Sequence, residues 1–227
     1  MQRRSDDPAP IRTPVLASGG PVALVGGGPP DGLVAALSRA GPVVAADGGG
    51  AAHCLRAGRV PDAVIGDLDS LDPALRAALP ADRLHRVAGQ DDTDFEKCLA
   101  RIDAPLVIGA GFLGGRVDHA LAALGALVRF PSCVLVGEED CVRALPAGAA
   151  SFEAPKGRRV SLFPLARVTG RSEGLEWPLD GLVLEPAGRV ATSNRAVGPV
   201  RLRMDGPGAL LMLPAEALDA MIAMERG

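Results

Sequence analysis

From residue 21 to about residue 138, short apolar and β-branched runs alternate with longer segments whose apolar residues recur at helical spacing. VALVG (22–26), VVAAD (43–47), AVIGD (63–67), PLVIGA (105–110) and CVLVG (133–137) read as buried strands, and HRV (85–87) as a weaker one. DGLVAALSRA, GGAAHCLRAG, TDFEKCLARI and GGRVDHALAALGALVRF read as the helices between them. Gly58 marks the end of the second helix, and Asp72-Pro73 supplies an N-cap and a first-turn proline for a short extra one. Thr93 and Glu96 have the spacing of a capping box. Continuous apolar strands alternating with helices predict a mainly parallel sheet covered on both faces, a Rossmann-like three-layer α/β domain over residues 21–139.

After residue 140 the helical period is lost. RVSLFPL, LVLEP, RVATSN, VRLRM and ALLML are short strand-like runs separated by Gly- and Pro-containing turns. Even spacing of this kind predicts an antiparallel β-sandwich over residues 140–227, with AEALDAMIAMERG as a terminal helix. Residues 1–20 carry arginines without an apolar stretch behind them and read as a flexible tail rather than a secretion signal.

Composition narrows the function class. The 227 residues are 48% hydrophobic, carry a net charge of −3, and include five Phe, one Trp and no Tyr. Neither a basic field nor a set of stacking aromatics is present for nucleic acid, and no apolar run is long enough to span a membrane. Cys54, Cys98, Cys133 and Cys141 form no close pair, and three fall in apolar segments. That usage fits a reducing cytoplasm and argues against a zinc site or a disulfide framework.

The candidate chemistry lies where the predicted strands end. Asp47 follows the second strand, Asp67 and Asp69 the third, and Asp91, Asp92 and Asp94 the fourth, while Arg116 and Asp118 come after the fifth. Ligands of parallel α/β sheets bind outside the carboxyl ends of the strands. Carboxylates gathered at one edge repel unless a cation is shared, and Mg²⁺ with a nucleotide polyphosphate is the obvious occupant. Asp67 and Asp69, two apart, project to the same side if the chain is extended. Singly, each residue also has an ordinary reading: Asp47 in a turn, Thr93 as a cap, Asp94 as a first-turn acid favoured by the helix dipole, Arg116 in an ion pair with Asp118. His119 reads as a packed or capping residue. DGGG (47–50) opens a helix and lets backbone approach a ligand, whereas VGGGPPDG (25–32) lacks the spacing of a dinucleotide fingerprint and the lysine of a P-loop. Arg116 suits bidentate contact with phosphate.

DGG (47–49), PDAVIGDLDS (61–70), DDTDFEKCL (91–99) and GFLGGRVDH (111–119) follow one another in an order and spacing that resemble the thiamine pyrophosphokinase family, with thinner likeness at GLEWPLDGLVL (174–184) and ATSN (191–194). The resemblance implies transfer of the pyrophosphoryl group of ATP to thiamine, giving thiamine diphosphate and AMP. It also implies a nucleotide-binding α/β domain, a thiamine-binding β-sandwich, and a homodimer with thiamine between the subunits. By motif position, Asp67, Asp69 and Asp94 would hold Mg²⁺. Asp69, Asp94, Arg116 and Asp118 would be catalytic. Asp47, Gly48, Gly49, Asp91, Thr93, Gly115 and Arg116 would bind ATP, and Ser193 and Asn194 would contact thiamine.

The chain departs from the family pattern at Gln90, where a Lys is usual, at Ala123, where an Asn is frequent, and at Met212, where some members carry an aromatic. Trp177 reads equally as a sandwich-core anchor or a ligand contact. Two other functions remain in play at this point: a diphosphokinase for another hydroxyalkyl heterocycle such as a pterin, and a non-catalytic nucleotide or thiamine sensor.

Overall fold

A computed structural model describes residues 13–89 and 92–226. The first half contains β1 (Leu16–Ala17), β2 (Val22–Val25), α1 (Leu33–Leu37), β3 (Val43–Ala46), α2 (Asp47–Arg56), β4 (Ala63–Gly66), α3 (Pro73–Ala77), β5 (Leu84–Arg86), α4 (Asp94–Leu99), β6 (Ile102–Asp103), β7 (Val107–Ala110), α5 (Val117–Leu127) and β8 (Cys133–Val136). Leu16–Ala17, inside the stretch read as tail, pairs in parallel with β6. Residues 1–12 of that stretch lie outside the described residues.

Every residue of β2, β3, β4, β7 and β8 is buried, as continuous apolar runs require. Alternate side chains serve opposite faces. Ala23, Val25, Val43 and Ala45 pack with Leu33 and Ala36 of α1 and Ala51 and Cys54 of α2. Val22, Leu24, Val44 and Ile65 pack with Phe95 and Cys98 of α4 and Ala123 and Leu127 of α5. Three layers result. Local signals act as expected: the Asp72 carboxylate accepts from Leu75 N at 2.7 Å, Thr93 and Glu96 close a capping box, and Gly58 takes φ +71° just past α2. The parallel order is β8-β7-β2-β3-β4-β5. From β2 the chain moves outward to β5, then returns to β7 on the other side of β2. The turns after β2 and β7 therefore diverge, which opens a crevice at the carboxyl edge.

The second half contains β9 (Asp140–Leu145), β10 (Gly148–Phe152), β11 (Arg159–Pro164), β12 (Val168–Leu175), β13 (Val183–Leu184), β14 (Ala191–Met204), β15 (Ala209–Pro214), α6 (Leu218–Ile222) and β16 (Glu225–Arg226). β9 pairs antiparallel with β8, so the sheet continues unbroken through β15, β11, β14, β12 and β13. RVATSN and VRLRM, read as separate runs, are one strand of 14 residues. β14 pairs with β11 through Asn194 and Arg195, then with β12 and β10 beyond Ala196, passing from one layer to the other. Gly198-Pro199 therefore does not end it. Gly174 accommodates the crossing: it bulges from β12 at φ +77°, where a Cβ would sit 2.0 Å from Pro199 O. Phe152, Val160, Leu162, Leu175, Leu202 and Leu211 fill the space between the layers. The expected terminal helix shortens to α6, after a 3₁₀ turn at Ala215–Ala217, and ends in β16. Buried Arg143 on β9 fastens α6 by donating to Met221 O at 3.2 Å and to Pro131 O at 3.1 Å. Burial lowers its guanidinium to about 10. Among the described residues no helix is long and apolar enough to cross a membrane.

Candidate functional site

The crevice is a cavity of about 710 Å³ at the ends of β2, β3, β4 and β7. Its floor is backbone. Gly27 and Gly49 meet so closely that a Cβ on Gly49 would lie 2.8 Å from Gly27 Cα. That contact explains the glycines of the turns after β2 and β3 without invoking a ligand.

Asp47 follows β3 at φ +53°, and its carboxylate faces the turn after β4. Oδ1 accepts from Leu68 N at 2.9 Å, and Oδ2 accepts from the Ser70 hydroxyl, whose oxygen in turn accepts from Gly48 N at 2.9 Å. Gly48 N–H is thus engaged, while Gly49 lines the cavity. Leu68 takes φ +64°, so the chain is not extended across Asp67 and Asp69. Asp67 lines the cavity and Asp69 does not; both line an adjoining hollow with Arg76 and Arg86. The extended geometry from which same-side projection was expected is therefore not what forms. Arg86 donates from Nε to Asp67 O at 3.2 Å and brings Nη2 to 3.8 Å from Asp69 Oδ1.

Asp94 lines the cavity from the first turn of α4, beside Thr93 and Asp92. Its partner is Lys97, 5% exposed, with Nζ 2.8 Å from Asp94 Oδ1. Lys97 also lines the cavity and is a functional group the sequence reading missed. The available signal was its position one residue before buried Cys98, on the face that carries Asp94. Among the described residues no three His, Cys, Asp or Glu side chains are grouped closely enough to hold a metal ion. Asp67, Asp69 and Asp94 are not gathered as such a trio. Asp91 and Gln90 lie outside the described residues.

Arg116 and His119 line the cavity from the start of α5. Arg116 chelates Asp118, with Nε to Oδ1 at 3.1 Å and Nη2 to Oδ2 at 2.6 Å. The pair is exposed; the Arg116 hydrogen bond holds the Asp118 carboxyl below the usual carboxylate range and raises the guanidinium. Asp118 and Gly115 do not line the cavity, and Gly115 turns the chain into Arg116 at φ +65°. An apolar wall completes the site: Phe95 and Phe112, with ring centroids 4.4 Å apart, together with Ala122 and Ala123.

Ser193 and Asn194 do not line this cavity. Asn194 is 3% exposed and grips one peptide: Oδ1 accepts from Trp177 N at 3.2 Å, and Nδ2 donates to Trp177 O at 2.7 Å. Oδ1 also accepts from Arg195 N at 2.8 Å. Trp177 is 53% exposed, which rules out the core-anchor reading. Ser193, at φ +61°, donates its N–H to Ser161 Oγ at 3.0 Å. Met212 on β15 stands opposite Ser161 and is half-buried. Asp47, Leu68 and Ser193 are the non-glycine residues with positive φ among those described. Each lies in a motif singled out from the sequence, and backbone strain of this kind collects at functional sites.

Two family models match the chain: the thiamin pyrophosphokinase catalytic domain over residues 34–135, and the thiamin pyrophosphokinase vitamin B1 binding domain over residues 150–207. The chain belongs to the thiamine pyrophosphokinase family. Thiamine pyrophosphokinase 1 of Oryza sativa subsp. japonica is 30% identical over 156 residues, which is 59% of this chain and 58% of the rice protein. Thiamine pyrophosphokinase 1 of Arabidopsis thaliana is 28% identical over 160 residues, with 59% and 58% covered. The matches thus span less than two thirds of those relatives. The fold is shared with the thiamin pyrophosphokinase of Candida albicans, at TM-score 0.73 and 16% identity over 92% of this chain and 95% of that one. It is also shared with that of Geobacillus thermodenitrificans, at 0.71 and 23% over 86% and 96%. The family's catalytic model covers the residues of the main cavity from Asp47 to Ala123, and its vitamin B1 model covers Trp177, Ser193 and Asn194.

Proposed function

We propose that this chain transfers the pyrophosphoryl group of ATP to the hydroxyethyl oxygen of thiamine. The hydroxyl oxygen attacks the β-phosphorus, the bond from that phosphorus to the oxygen bridging to the α-phosphorus breaks, and AMP leaves as thiamine diphosphate forms. The hydroxyl proton passes to a carboxylate of the cavity, Asp94. One observation carries the reading: the catalytic and vitamin B1 models fall on a single chain, and the first covers most of a cavity lined by both acids and cations, Asp67, Asp94, Lys97 and Arg116.

The triphosphate lies between Lys97 and Arg116, which neutralise charge on the transferred group. Arg116 exchanges the Asp118 carboxylate for phosphate oxygens. The hard oxygens of Asp67 and Asp94 suit Mg²⁺, which commonly takes one or two protein carboxylates and completes its shell with phosphate and water. When bound, Mg²⁺ offsets the charge that develops on the phosphates. The apolar wall of Phe95, Phe112 and Ala123 receives the base. Residues 21–139 act as the nucleotide half and residues 140–227 as the thiamine half.

Ser193 and Trp177 lie off the main cavity of their own chain. This supports a homodimer in which thiamine touches the catalytic half of one subunit and the sandwich of the other. The four cysteines are free and buried, which supports a cytoplasmic setting. Incubation with ATP, thiamine and Mg²⁺ is expected to yield AMP and thiamine diphosphate. ADP with thiamine monophosphate overturns the assignment.

A further inference from the structure

One hydroxyl ties together the two strained residues at the acidic edge. Asp47 and Leu68 both occupy left-handed backbone, which a branched side chain such as leucine rarely adopts. Each persists only if its surroundings over-determine it. Here they do. Both Asp47 oxygens already serve the neighbouring turn, one accepting from Leu68 N at 2.9 Å and the other from the Ser70 hydroxyl. The Ser70 oxygen closes the ring by accepting from Gly48 N at 2.9 Å. Arg86 holds the far side of the same turn through Asp67 O at 3.2 Å. The Leu68 side chain packs at the edge of the core, so the turn is pinned from below as well.

We infer that Asp47 and Ser70 form a clamp between the turns after β3 and β4, and that Ser70 is a positioning residue that keeps Asp67 aimed into the cavity. Asp47 then acts chiefly through the turn rather than by holding the nucleotide or the metal. Ser70 is exposed at the lip of the cavity and fills no core space. Its hydroxyl is what the turn uses: the single proton goes to Asp47, and a lone pair takes Gly48 N–H. A turn that needed only to reverse direction would not require two strained residues. Fixing the position of Asp67 gives the strain a use.

The activity arm of the test rests on the pyrophosphoryl-transfer reading; the exchange arm does not. Ser70→Ala is expected to lower kcat by about 10²-fold, the order of loss that follows from misplacing a reacting group, with the KM for thiamine unchanged. Ser70→Thr, which keeps the hydroxyl, restores turnover. Asp47→Asn tolerates the left-handed backbone, and the Asp47→Asn/Ser70→Ala double variant falls no further than the lower of the two singles. In amide hydrogen exchange, Ser70→Ala speeds exchange at Leu68 and Gly48 and leaves the core of β2 and β3 protected. Wild-type turnover in Ser70→Ala, or additive losses in the double variant, overturns the clamp. If the unmodified protein makes no AMP, the reading of the reaction falls and exchange alone judges the clamp. Faster exchange at those two amides then upholds it, and unchanged exchange overturns it.

Discussion

Lys97 is the residue whose importance is least visible in the sequence. On a helix a lysine ordinarily reads as a solvated position, yet this one is buried against Asp94 and faces the cavity. A buried ammonium is kept where it meets a fixed negative charge, and a polyphosphate would supply more. Lys97→Met keeps the bulk and removes the charge. It is expected to leave the fold intact and lower turnover by about 10²–10³-fold, the range seen when a single electrostatic contact to developing charge is lost. Turnover within a few-fold of the unmodified protein would make Lys97 a plain helix ion pair. Other residues were legible because their roles are local. Asp72 and Thr93 were read as caps from neighbours within three positions, and the capping geometry is present. Leu68 was not legible, since leucine carries no signal for a positive φ.

At the scale of elements, the parallel half could be read because its strands are buried on both faces and leave unbroken apolar runs. The sandwich strands carry a weaker pattern. β12 alternates exposed Arg171 and Glu173 with half-buried Ser172 and Gly174, and β9 hides Arg143 among apolar residues. β14 was split in reading because Gly198-Pro199 has the composition of a turn. Tertiary pairing overrides that local preference: β12 bulges at Gly174 and lets the proline pass. Gly174→Ala would set a Cβ 2.0 Å from Pro199 O at a φ of +77°, so both space and backbone oppose it. The expected cost is about 2 kcal/mol or more, read as a lower denaturant midpoint at unchanged slope. An unchanged midpoint would mean that the bulge relaxes freely and does not hold the crossing.

At the scale of the molecule, one sheet runs from the parallel half into the sandwich, yet the two sets of candidate site residues do not share a cavity. Asn194 is committed to the Trp177 peptide, so what it offers a ligand is the placement of an exposed indole more than its own amide. Trp177→Ala is expected to raise the KM for thiamine about tenfold or more, since aromatic contacts of this kind are worth at least 1–2 kcal/mol, while nucleotide binding stays unchanged. Sedimentation of the unmodified protein at twice the monomer mass is the companion result. A monomer with full activity would contradict a site completed by a second subunit.

In the proposed reaction two phosphates move together from ATP to thiamine. ATP labelled at the β-phosphorus and ATP labelled at the γ-phosphorus, each incubated with thiamine, Mg²⁺ and the protein, test it most directly. Both labels are predicted in the thiamine product, with unlabelled AMP left behind. Label reaching thiamine from the γ-position alone, with the β-label retained in ADP, would mean that a single phosphoryl group moves and that pyrophosphoryl transfer does not occur.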